Sequence, residues 1–413
     1  MSGNVGTTTE RRDWSATAAL IAAASVIGIV TGVVALAIEH LVDDVVEELF
    51  EAPVWVPAVA VVVGALLTAV VVRFAAGRST ASTEVYVDEF HEESPTVDPK
   101  YAPGRLLAAF TTLGSGAPLG MEGPAVYTGT VVATSLRRRW PTLGGVSHNA
   151  LLVAAAAAGV AAVFKAPVAG AIFALEVPFR GRLAGERVLP AIFGATTGFL
   201  TMASVDGIEP ELQVAAMELT YVRCFGAIAL GLVIGVAAHG VIAGVHLAEG
   251  LTGRGSPWVR AVLGGVLLAG LYTVGRVLAD EPVALASGNN VIEWALEPDH
   301  AVGLLIAVFV LRALGPSVAI AGGGVGGLFI PLMAAGAVVG RLFADAAPGD
   351  EVVLYVIVGA ASMLGAGYAV PLTAVVFVAE YTGQAAVIVP GLLAMAAVRM
   401  VVGSRSVSGG QIA

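Results

Sequence analysis

The sequence is short of charge, of lysine and of cysteine. Only 13% of its 413 residues are Asp, Glu, Lys or Arg, about half the share of an ordinary soluble domain. That excludes a water-facing surface of the usual kind over most of the chain. A single cysteine, Cys224, rules out an intrachain disulfide and a cysteine-held metal cluster. Lysine occurs only as Lys100 and Lys165, and the net charge is −10, so nothing is basic enough to hold nucleic acid. The six histidines (His40, His91, His148, His239, His246 and His300) show no ligand spacing such as HxxxH. No metal and no cofactor is expected.

Apolar residues fill the gap: 57% of the chain is hydrophobic and its mean hydropathy is +0.88. Apolar runs lie at 16–38, 54–72, 151–163, 224–247, 304–311, 352–364 and 385–398. Several reach the roughly 20 residues that span a bilayer, and others fall well short. This pattern predicts an all-α polytopic protein of the plasma membrane, with lipid as its surroundings. The first run follows Arg11 and Arg12 and has no small-residue cleavage site. It reads as a membrane helix rather than a cleavable leader, with 1–15 as a short cytoplasmic tail.

Two motifs recur in the same order. "GMEGP" at 120–124 returns as "GLFIP" at 327–331, an offset of 207, and "PVAGAIFALE" at 167–176 returns as "PLTAVVFVAE" at 371–380, an offset of 204. Two halves are therefore expected, at about 16–215 and 216–413. The first half leaves its motif through "RRRW" at 137–140, the second through the acidic "RLFADAAPGDE" at 341–351. Positive charge marks the cytoplasmic side, so the two exits face opposite sides and the repeat is inverted.

Glycine and proline in these motifs break helices at membrane depth, which is tolerable only where the freed backbone lines a cavity or meets a ligand. Pro124 and Pro331 stand where first helical turns favour proline. Two helix N-termini aimed at one spot hold an anion on backbone amides, here those of Met121 to Gly123 and Leu328 to Ile330. Close packing of small residues explains scattered glycines, but not a duplicated Gly-x-x-x-Pro. Glu122 lies within the first motif. A carboxylate costs roughly 2.5–3.5 kcal/mol at mid-membrane even on lenient scales, so a functional acid is the default reading. Being an anion itself, it can block the site until protonation or an incoming anion displaces it. Glu176 and Glu380 each end an apolar stretch and read as structural hydrogen bonders or packing acids.

"GMEGP", "FKAPVAGAIFALE" (164–176), "GGLFIP" (326–331) and "GYAVPLTAVVFVAEYTGQ" (367–384) together resemble the CLC chloride channels and transporters. The resemblance runs from about residue 16 to the last residue. It implies a CLC-type inverted repeat of tilted and broken helices, 16–413 as one transmembrane domain without regulatory domains, and a homodimer with an anion pathway in each subunit. It also makes Glu122 the gate and gives Leu328 and Phe329 the central amides. Arg105 and Lys165 are candidate pathway charges, snorkelling to an interface being the alternative.

Three departures stand out. The serine loop of the family is not matched by "GSGAP" (114–118), which lies too close to the gate; "STASTE" (79–84) stands at the expected place and offers Thr80. Where the family often carries a tyrosine near its end, "RSVSGGQI" (405–412) offers Ser408. Proton-coupled members usually place an acid after the glutamate of the second motif, but Glu176 is followed by Val177. The main expectation is therefore a passive chloride channel gated by Glu122. The alternative is a proton/chloride antiporter with a non-standard internal proton route. Fluoride export fits less well, as does an intramembrane serine hydrolase pairing Ser115 with His239 or His246; no enzyme activity is expected.

Overall fold

In the computed structural model, the chain is described over residues 6–77, 82–92, 96–140, 145–215, 217–347 and 351–412. Among these described residues, sixteen α-helices fall into two groups of eight. The first group is α1 (Gly6–Glu51), α2 (Trp55–Phe74), α3 (Thr83–His91), α4 (Ala102–Leu113), α5 (Glu122–Arg139), α6 (His148–Phe164), α7 (Pro167–Glu176) and α8 (Val188–Asp206). The second is α9 (Tyr221–Thr252), α10 (Pro257–Ala279), α11 (Asn289–Leu296), α12 (Val302–Gly322), α13 (Phe329–Ala346), α14 (Val352–Tyr368), α15 (Pro371–Thr382) and α16 (Ile388–Val402).

The two groups repeat in order and in detail. Both α5 and α13 have 18 residues, and both α6 and α14 have 17. Lys165 after α6 (φ 51°) and Ala369 after α14 (φ 55°) both adopt the left-handed conformation that turns a helix end. Each turn feeds a proline, Pro167 or Pro371, in the first turn of the next helix. Even the close approaches repeat. A Cβ on Gly129 would collide with the Ala155 carbonyl, and one on the equivalent Gly336 with the Gly359 carbonyl. In lipid, where burial of apolar surface no longer drives helices together, such backbone contact holds α5 on α6 and α13 on α14.

The halves are inverted. Glu176, the last residue of α7, accepts hydrogen bonds from the amides of Leu372 (3.2 Å) and Thr373 (2.9 Å) and from the Thr373 hydroxyl (2.6 Å), all in the first turn of α15. Glu380, in the last turn of α15, accepts from the amides of Val168 (3.0 Å) and Ala169 (2.7 Å) in the first turn of α7. Two helices that each cap the other's start run antiparallel. The acids are thus structural: they satisfy amides that have no partner within their own helix and meet its positive end.

Among the described residues, eight helices are long and apolar enough to cross a membrane. Large apolar side chains such as Trp55, Val236, Leu247 and Val277 point outward from α2, α9 and α10, as lipid-facing surfaces do. The short helices α6 and α14 are buried almost throughout and surround the start of α13. This is a multi-pass membrane protein.

Removing a buried cap should cost more than removing an exposed one. Glu176 is 3% exposed, whereas Glu380 is only partly covered. Glu176→Ala is expected to cost about 2–3 kcal/mol, because two amides and a hydroxyl lose a charged partner, and Glu380→Ala less. Thermal unfolding midpoints in detergent check the order; equal loss in both variants would contradict it.

Candidate anion site and gate

The site forms where α5 and α13 begin. Gly120 and Gly327 exchange hydrogen bonds, amide to carbonyl in both directions, at 2.9 and 2.7 Å. This reciprocal pair ties the two broken segments together at the axis relating the halves. A side chain on either glycine would strike the Glu122 carboxylate, so the residue type here is set by the room the acid needs.

Glu122 opens α5, yet its side chain serves the other helix. One carboxylate oxygen accepts a hydrogen bond from the Phe329 amide at 2.5 Å, at the first residue of α13. The residue is fully buried, and its other oxygen has no partner. The neighbouring Leu328 amide donates to the Tyr368 hydroxyl at 3.3 Å. The Phe329 ring is clasped by Phe164, Phe173 and Tyr368, with ring centres at 5.8, 5.0 and 4.9 Å. A carboxyl group therefore sits on a helix N-terminus in an aromatic cage, the kind of place that suits a negative charge.

Cavities approach this point from two directions. The larger, about 410 Å³, reaches Gly327, Leu328 and Tyr368 from the start of α3 and the end of α9. The smaller, about 130 Å³, reaches Leu119, Met121, Phe164 and Ile330 from α1 and the start of α11. Repeat-equivalent elements line both; Tyr368 in one stands where Phe164 stands in the other. Arg260 lines the larger cavity, and Glu39 and Asp43 line the smaller. Arg138, at the basic end of α5, donates to the Val97 carbonyl just after α3 (3.0 Å), which places the α3 side, and with it the larger cavity, inward.

Most of the residues anticipated for the site lie around it. Met121 and Ile330 line the outer cavity, Gly123 is buried in the first turn of α5, and Ser408 lines the inner cavity. Lys165 forms an ion pair at 2.7 Å with Glu211, which itself lines the outer cavity. Arg105 is elsewhere: it donates to the Ala76 carbonyl at 3.2 Å and lies over the Tyr127 ring. Thr80 lies outside the described residues. Val177 is wholly buried, and its carbonyl accepts from the Gln411 side chain at 2.9 Å. Ser115 donates its hydroxyl to the Thr112 carbonyl at 2.8 Å, and His239 contacts the Gly235 carbonyl of its own helix.

Two residues were missed by the motif reading. Tyr368 supplies the hydroxyl beside Leu328; the only signal was its alignment with Phe164 at the repeat offset. Arg312 on α12 is 1% exposed. It donates to the carbonyls of Leu285 (3.0 Å), Ala286 (3.2 Å) and Ser287. Among the described residues it forms no ion pair. It fixes the loop before α11, two residues of which line the outer cavity, and places a positive charge behind that loop.

An inverted repeat whose broken helices meet between two cavities defines the broken-helix class of membrane transport protein. Residues 63–403 match the model of the voltage gated chloride channel family, and the chain belongs to that family. The H(+)/Cl(-) exchange transporter ClcA of Citrobacter koseri is 27% identical over 401 residues, covering 91% of this chain and 83% of that protein. Its namesake from Yersinia pseudotuberculosis is 27% identical over 397 residues, covering 89% and 81%. Among solved structures, a slow cyanobacterial Cl⁻/H⁺ antiporter superposes with TM-score 0.83 at 21% identity, covering 94% of this chain and 96% of that one. A CLC-type fluoride/proton antiporter superposes with TM-score 0.82 at 20% identity, covering 96% and 98%. At these identities the two structures establish the fold.

If the carboxylate competes with an anion for the Phe329 amide, removing its charge should free the site. Glu122→Gln is expected to bind chloride more tightly by about tenfold, the worth of one charge-assisted hydrogen bond. Isothermal titration in detergent measures this, and unchanged affinity would remove Glu122 from the anion's place.

Proposed function

We propose that the protein transports chloride in exchange for protons, with Glu122 as both gate and proton carrier. The observation that carries this reading is the Glu122 carboxylate on the Phe329 amide, closed off between two cavities. The relatives that align over about nine-tenths of the chain and are named exchange transporters support exchange better than the passive channel expected from Val177. Chloride is preferred over fluoride because those aligned relatives are named for chloride, while the fluoride antiporter shares only the fold. A hydrolase is disfavoured because the Ser115 hydroxyl is spent on a carbonyl.

The cycle follows from charge. As a carboxylate, Glu122 fills the N-terminus of α13 and excludes chloride. A proton added to it removes the charge, and with it most of the attraction to the amides. The neutral side chain leaves and chloride takes its place on the amides of Leu328 and Phe329, within reach of the Tyr368 hydroxyl. When the proton departs to one side, the carboxylate returns and expels chloride toward the other. Protonation favours the open site, so flux rises as pH falls. In this reading Ser408 and, in the unmatched loop, Thr80 offer further hydroxyls to the anion. Two subunits pair, each with its own pathway, as the family resemblance implies.

In liposomes, an imposed proton gradient is expected to drive chloride uphill. Glu122→Gln should abolish that coupling, leaving chloride flux that no longer responds to pH. A wild-type protein that only dissipates chloride gradients would restore the passive channel, and a Glu122→Gln variant that keeps the pH response would dismiss Glu122 as the gate.

A further inference from the structure

The exchange reading needs a way for protons to reach Glu122 from the inner side, and Val177, apolar and fully buried, cannot provide one. The inner cavity holds two carboxylates instead. Glu84 lies in the first turn of α3 and Glu249 near the end of α9, and both line the same space of about 410 Å³. Among the described residues, neither acid forms an ion pair.

We propose that Glu84 and Glu249 form the inner proton-transfer site, handing protons through cavity water and the Tyr368 hydroxyl to Glu122; the proposal rests on the exchange reading. A second feature points to solvent or an ion in this space. Ser408 lines the cavity and is 2% exposed, and its hydroxyl has no hydrogen-bond partner. The volume accommodates on the order of ten water molecules, and a polar buried hydroxyl without a protein partner calls for one of them.

At the far end, the Tyr368 hydroxyl accepts from the Leu328 amide, which leaves its own proton free to be donated. Across the Gly120–Gly327 pair, the unpartnered oxygen of Glu122 lies buried next to Gly120. The transfer balances simply. An O–H bond breaks on one carboxylic acid of the pair, a proton passes along water and phenol by successive exchange, and an O–H bond forms on Glu122. One negative charge moves from Glu122 to the pair, and a proton from the inner solution restores it.

Two like-charged acids in one cavity favour holding a shared proton. Arg260 on α10, Asp88 one turn along α3, and His246 one turn back on α9 are the other charged or titratable groups around the pair. Burial holds the Glu84 carboxyl above the ordinary carboxylate range, against a hydrogen bond from the Gly409 amide. The acid is thereby kept closer to the pH at which it can both take and release a proton.

Chloride-driven proton uptake and chloride flux, measured in parallel on liposomes, test the proposal. In the double variant Glu84→Gln, Glu249→Gln, proton uptake is expected to fall about tenfold or more while chloride flux stays within about threefold, since only proton transfer is removed. Glu249→Asp, which keeps the acid, should retain proton uptake where Glu249→Gln loses it. A double variant with the wild-type proton-to-chloride ratio overturns the proposal. If the double variant fails to fold, the single Gln variants decide: undiminished proton uptake in both overturns it, and a loss confined to proton uptake supports it. A wild-type protein with no proton uptake at all sinks the exchange reading itself, which is a different result.

Discussion

A helix that starts inside a membrane exposes amides that neither water nor its own turn can satisfy, and the architecture is organised around that constraint. Each half supplies what the other lacks. Gly120 and Gly327 exchange hydrogen bonds at the centre. Glu176 caps the start of α15, and Glu380 caps the start of α7. These partners are permanent. At α13 the partner is Glu122, which meets one amide with one oxygen and leaves the other oxygen unpartnered. In the exchange reading, this half-satisfied partner is the one that gives way to an anion, and that separates the site from the scaffold.

Electrostatics explains why the site is built from amides rather than from a lysine or arginine. In a low-dielectric interior a full positive charge would hold an anion too firmly to release it, whereas partial charges at a helix end bind and let go. Arg312, deeply buried behind the outer cavity, is held by three carbonyls of the loop before α11. Its charge acts at a distance and its geometry shapes the outer wall.

The duplicated pattern made the inverted fold and the core of the site legible. Glu122, Leu328 and Phe329 lie inside motifs whose glycines and prolines act locally, so their consequences could be read residue by residue. "GSGAP" lies too close in sequence to "GMEGP" to match the family's serine loop, and the Ser115 hydroxyl donates to the Thr112 carbonyl. Tyr368, Glu84 and Glu249 were not readable. Each belongs to a helix end brought to the cavity by tertiary packing, and no local spacing marks such a meeting. Arg105 failed for the reverse reason: a charge in an apolar stretch suggested the pathway, but a carbonyl and an aromatic ring claimed it.

The repeat leaves one notable inequality, phenol at Tyr368 and phenyl at Phe164, on either side of the same ring of Phe329. A strictly two-fold scaffold has no inside or outside and would work identically if flipped in the bilayer. One oxygen atom breaks that equivalence. It gives the inner side of the Phe329 ring a hydroxyl, while the outer side meets a phenyl ring. Sidedness in this molecule is thus already present at the site itself, as a hydroxyl on one of a mirrored pair of aromatic doors.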